Sequence, residues 1–185
     1  MSTENLFSEN LDNLSDEVIA NRILINFDIN FENVPIIIED ALKNAGFRIG
    51  VANRFGKESI IAGIAYAKDE FQPLHSNKFF IFRKDLDTRD RRYVMALAIS
   101  YYAIESKNEF YTKTIYQNSI NEIRDEKYDR VARALLMPQK SLSTLLMSPL
   151  ISKLEAGEKI EKVAKAFLVS SDIARKRMIE TGFGM

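Results

Sequence analysis

Few residues in this chain have the capacity for chemistry. It has no cysteine and a single histidine, His75. Thiolate nucleophiles, disulfides and cysteine-rich metal sites are therefore excluded, and imidazole chemistry rests on one ring in a predicted loop, enough for at most one metal ligand. There is no glycine-rich phosphate loop and no serine-centred nucleophile elbow. What remains is a pair of adjacent carboxylates, Asp125 and Glu126, and the run Arg92–Tyr102, which opens on a cation and closes on two phenols, Tyr101 and Tyr102.

The elements that would hold these groups can be read from the pattern. From Thr88, an expected N-cap with Asp90 in the first turn, a helix runs through Tyr93 to about Ser106, apolar on nearly every side. A helix of that kind is buried in the middle of a domain. Ahead of it stand a helix capped by Ser15 with Val18, Ile19, Ile23 and Leu24 inward, and a second from Ile36 to Ala45 closed by Gly46. Three β-rich stretches follow, Phe47–Val51, Ser59–Tyr66 and Lys78–Arg83, with Gly56 and Lys57 in the first turn; they predict a small antiparallel sheet with one covered face. Phe79–Phe82 is expected in the core. Downstream, a helix over about Asn121–Met137 stops at Pro138, and short helices are expected over Gln139–Met147 and Ile151–Leu154. The tail carries the stripe Ile160, Val163, Ala164 and Phe167, a turn at Leu168–Ser170, and a last helix capped by Ser171 with Ile173, Ala174, Met178 and Ile179 inward, stopped by Gly182.

Composition bounds the rest. The 185 residues carry 26 basic and 26 acidic side chains, a formal net charge of zero, unlike a strongly basic nucleic-acid binder. The longest apolar run, Tyr93–Ile104, covers about 12 residues where a bilayer needs roughly 17 or more. Met1–Asp12 is polar and acidic, with no basic n-region or apolar segment of a signal peptide, so the expected location is cytoplasmic. The chain divides into an acidic arm, expected to be flexible, over 1–15, a main domain over 16–148 and a small helical subdomain over 149–185.

Three blocks carry a resemblance. Arg92-Tyr93-Val94-Met95-Ala96-Leu97-Ala98-Ile99-Ser100-Tyr101-Tyr102 resembles the run R-F-T-L-A-H-E-L-G-H-Y. Asp125–Pro138 is similar to E-x-x-A-N-x-F-A-x-x-L-L-M-P, and Val163–Met178 to L-A-x-x-F-x-V-S-x-x-A-x-x-R-L. Together, in this order, they resemble the ImmA/IrrE family of zinc peptidases across most of the chain beyond residue 30. The resemblance implies an α+β, zincin-like fold: a three-stranded antiparallel sheet packed on helices with a buried central helix, followed by helix-turn-helix-like C-terminal helices. It also implies where the metal would sit. The two histidine positions of H-E-x-x-H fall on Leu97 and Tyr101, the general-base glutamate on Ala98, and the third ligand on Asp125. An aliphatic carbon offers no lone pair and an alanine takes no proton from water, so no metal, cofactor or catalytic residue is expected.

The expected function is accordingly that of a pseudoenzyme that binds a protein, such as a helix-turn-helix repressor or another phage or host regulator in a mobile-element setting. Arg92, Tyr101, Tyr102, Asp125 and Glu126 are the candidate partner-binding residues. Leu97, Tyr101 and Tyr102 also read as packing that fills the space of the lost zinc site, and Asp125 and Glu126 as solvated helix residues. The alternative is a DNA-binding regulator presenting Ser171, Arg175 and Lys176 from the last helix. Against it, Ser152–Met185 holds seven basic and five acidic residues, too even for strong phosphate binding.

Overall fold

A computed structural model of the chain describes residues 11–30, 32, 34–67, 78–105, 110–117 and 126–183. It is an α+β protein whose described residues form seven α-helices and one four-stranded mixed sheet. Residues 1–10 of the expected arm, His75 and Asp125 lie outside the described residues. Leu11–Asn13 forms a turn of 3-10 helix with Leu11 buried.

The strands are β1 (Arg48–Ala52), β2 (Ile60–Ala67), β3 (Lys78–Arg83) and β4 (Phe110–Tyr116), in the order β1-β3-β2-β4. β3 runs parallel to β1 and antiparallel to β2, and β4 runs antiparallel to β2. The expectation of a three-stranded antiparallel sheet is thus corrected twice. A fourth strand is present, and the sheet is mixed rather than antiparallel, because β3 lies between β1 and β2 and pairs parallel with β1. The reason is packing: Phe80 and Phe82, the buried phenylalanines of β3, gain neighbours from both sides in the central position. Phe80 sits opposite Ile49 and Ile64, and Phe82 opposite Val51 and Ala62. Phe79 and Ile81, expected in the core, alternate to the other face and are exposed.

The helices are α1 (Asp16–Asn26), α2 (Ile38–Asn44), α3 (Thr88–Glu105), α4 (Lys127–Leu136), α5 (Gln139–Leu146), α6 (Ala156–Phe167) and α7 (Ser171–Glu180). Ser15 caps α1 by accepting from Val18 N at 3.3 Å, and Gly46, at φ 86°, follows the end of α2. α3 is buried along Tyr93–Ala103 and packs on α2, on α4 and on the covered face of the sheet.

Several local readings shift. Asp87, not Thr88, caps α3, accepting from Asp90 N at 2.8 Å. Ser170, not Ser171, caps α7, accepting from Ile173 N at 3.3 Å. Val18 and Ile179 face solvent, and on α7 the buried place is taken by Arg177, whose long stem and hydrogen-bonded head let it replace an aliphatic side chain. Ile151–Leu154 folds as turns rather than a helix.

Charged side chains join the first, middle and last helices. Arg133 on α4 is fully buried and its Nε donates to Glu180 Oε1 at 2.8 Å. Arg177 on α7 pairs with Glu17 on α1 and donates from Nε to Met137 O at 3.0 Å. Glu17 in turn accepts from Gln139 N at 2.8 Å, and Arg130 pairs with Asp16 at 2.7 Å. These contacts fix the stretch after residue 148 against the body that carries α3.

Candidate functional site

The site implied by the sequence lies along one face of α3, where Tyr93, Leu97 and Tyr101 recur at helical spacing and face α4. Leu97 and Ala98 are fully enclosed. Tyr101 is 7% exposed and Tyr102 is 8% exposed, so neither phenol ring is displayed on the surface.

Around the C-terminal half of α3 the aromatic side chains form one connected cluster. Tyr101 lies against Tyr128 of α4, with ring centroids 4.6 Å apart, and against Tyr111 of β4 at 6.4 Å. Tyr111 stacks on Tyr66 of β2 at 5.5 Å, and Tyr66 meets Tyr102 edge-on at 5.1 Å. Tyr102 also packs edge-on against Phe47, at 5.1 Å. The register explains the convergence: Lys78, Tyr66 and Tyr111 stand opposite one another across β3, β2 and β4, a single row beneath the helix.

The polar ends of these rings are satisfied locally. Tyr128 donates to the Glu105 carboxylate, and Tyr66 donates to Glu105 O at 2.5 Å. Lys78 donates to Tyr102 Oη at 2.5 Å and to Ala45 O at 2.9 Å. Lys113 places its ammonium 5.1 Å from the Tyr101 ring centre, a cation–π contact at the sheet edge. Burial, and then the Glu105 charge, push the Tyr111 phenol up to about 12. Burial likewise raises Tyr66 and Tyr128, so all three stay protonated at neutral pH.

One turn earlier, Tyr93 donates to the buried carboxylate of Asp129 at 2.9 Å, and burial raises its phenol strongly. Asp129 sits one turn beyond Asp125 on the sequence, in the helix that the resemblance assigns to the third ligand. Here its carboxylate accepts a phenol.

This set does not fit zinc. The positions that the resemblance assigns to the imidazoles hold an aliphatic chain and a phenol packed on another phenol, and the one it assigns to the general base holds a methyl group. Among the described residues, no three His, Cys, Asp or Glu side chains converge to hold a metal ion.

No family model matches this chain, and no curated protein matches it in sequence.

The other sequence-derived residues are placed as follows. Arg92 is half-buried. It donates to Ile36 O at 2.7 Å and to Phe167 O at 3.2 Å, bridging the approach to α2 and the end of α6, and burial lowers its pKa. Glu126 is exposed at the N-cap of α4. Ser171 donates to Glu161 Oε1 at 2.6 Å, and Arg175 is exposed on α7, with Asp172 near them in its first turn. The α6–α7 connection is three residues long, with Leu168 in the left-handed region at φ 52°. Tyr66, Tyr111, Tyr128, Glu105, Asp129 and Arg133 were not singled out by sequence reasoning. The one available signal was the spacing of Asp129 and Arg133, a charged pair at i,i+4 on the buried face of an otherwise apolar helix. Among the described residues no helix is long and apolar enough to cross a membrane.

Proposed function

We propose that this chain is a catalytically silent relative of the ImmA/IrrE peptidases that acts in the cytoplasm by binding a regulatory protein, in a phage or mobile-element setting. In this reading residues 16–148 are a zincin-like pseudoenzyme domain, and 149–185 a helix-turn-helix-like subdomain packed against it. The observation that carries the reading is the environment of Tyr101: it stands at the second ligand position and its ring is closed in by Tyr128 and Tyr111. A core filled in this way supplies packing energy where an enzyme would keep an open coordination position.

The catalytic lineage implies the partner class. A peptidase of this family cleaves a repressor, and a silent version retains the means to recognise that class of protein without cutting it. The engagement of Ser171 with Glu161 supports a structural role for the last two helices over a phosphate-facing one.

The test is co-purification of the tagged full chain with helix-turn-helix repressors encoded beside its gene. The expected result is a stable complex in which the repressor remains uncleaved. Failure to bind any neighbour-encoded regulator, or cleavage of one, would overturn the reading.

A further inference from the structure

The tyrosine cluster has a property that packing alone does not require. Five of the seven tyrosines of the chain form an unbroken series, Tyr102–Tyr66–Tyr111–Tyr101–Tyr128, with successive ring centroids 5.1, 5.5, 6.4 and 4.6 Å apart. The chain has no cysteine and no tryptophan, so tyrosine is its most readily oxidised aromatic residue and there is no thiol to intercept an oxidant. At the end of the series the Tyr128 hydroxyl donates to a carboxylate, Glu105, in a charge-assisted hydrogen bond. A phenol gives up an electron most easily when its proton has such an acceptor in place, because the radical cation is then never formed.

We propose that Tyr101 and Tyr128 are a site of oxidative modification, cross-linked to each other when a one-electron oxidant acts on the protein. One oxidant equivalent takes an electron from Tyr128 as its phenolic proton passes to Glu105, leaving a neutral tyrosyl radical. A second equivalent takes an electron from Tyr101 as its phenolic proton is lost. The two radicals join through ring carbons ortho to the oxygens. The hydrogens on those carbons then move to the oxygens, restoring both aromatic rings. In sum, two electrons and two protons leave the pair, two C–H bonds break and one C–C bond forms. The new bond ties the C-terminal half of α3 to the first turn of α4.

Two other tyrosines serve as internal controls. Tyr116 is 41% exposed at the end of β4, and is the first target if accessibility rather than geometry decides. Tyr93 has a carboxylate acceptor in Asp129 at 2.9 Å, but it stands outside the series of contacting rings.

The experiment is brief photo-oxidation of the full chain with tris(bipyridyl)ruthenium(II) and persulfate. Dityrosine fluorescence is read on the monomer band, and the cross-linked peptides are mapped by mass spectrometry. The expected product joins the Tyr101 and Tyr128 peptides within one molecule. It is lost in Tyr128→Phe and in Tyr101→Phe, is kept in Tyr116→Phe, and forms more slowly in Glu105→Gln. Cross-links running mainly between molecules through Tyr116, or an intramolecular signal unchanged in Tyr128→Phe, would overturn the assignment. An unchanged rate in Glu105→Gln would overturn the role given to the carboxylate.

Discussion

Tyr101 packs on Tyr128 with ring centroids 4.6 Å apart and planes 38° from parallel. The first ring comes from α3, the buried central helix, and the second from the first turn of α4. At this point the contact between the two helices is made by aromatic carbon.

If this face is core, truncating it costs core energies. Leu97→Ala, at a fully buried position, is expected to destabilise by about 3 kcal/mol, within the range for Leu-to-Ala changes in cores. Urea unfolding followed by circular dichroism measures it. A cost below about 1 kcal/mol, the scale of a surface substitution, would mean that Leu97 lines an open cleft.

Arg92 holds two backbone carbonyls, Ile36 O and Phe167 O, that belong to distant parts of the chain. Arg92→Ala leaves both without this donor, at an expected cost of about 1–3 kcal/mol. Hydrogen exchange should rise at α2 and at the α6–α7 turn together. Loosening at only one of them would contradict the bridging role.

Glu180 and Arg133 give an asymmetric pair. Glu180 keeps some contact with water, whereas Arg133 is fully buried and depends on its partners. Glu180→Ala is therefore expected to cost about 3 kcal/mol, and adding Arg133→Met should recover part of that loss, because the stranded charge is removed with its partner. A double-mutant cycle of unfolding free energies decides this, and strict additivity would speak against the coupling.

These charged residues mark the limit of what the sequence made legible. The long apolar run identified α3 as buried, and the aromatic run Phe79–Phe82 identified β3, though not which of its side chains face the core. Both signals are local, as are the glycines at 46 and 182 that close their helices. The order of the sheet is not local: Gly56 and Lys57 point to a hairpin, yet β3 enters between the strands on either side of that turn because its phenylalanines need two neighbours. β4 escaped because Thr112, Lys113 and Thr114 are exposed and Ile115 is its one fully enclosed side chain among those described. The burial of Asp129, Arg133 and Arg177 was not legible, because single-sequence pattern assigns charge to water. Arg133 and Arg177 are buried because Glu180 and Glu17, 47 and 160 residues away in sequence, come back to meet them. For the candidate site, the apolar side chains at Leu97 and Ala98 were legible in the sequence, whereas the rings beside Tyr101 come from two other elements, β4 and α4.

Alkaline pH probes the same cluster. The Tyr111 phenol is raised to about 12, first by burial and then by the charge of Glu105. A group whose pKa is higher in the folded state favours folding below its ordinary value and loses that contribution as pH climbs through the folded value. Stability should therefore fall between about pH 10 and about pH 12. The denaturation midpoint of Tyr111→Phe should fall less steeply over that window than that of the unsubstituted chain. Parallel declines would show that Tyr111 does not contribute.

The most direct test is the metal content of the full chain, purified without chelator and dialysed against zinc. The account predicts far less than one equivalent of zinc, unchanged by Tyr101→Phe. One equivalent retained by the unsubstituted chain and lost on Tyr101→Phe would contradict it.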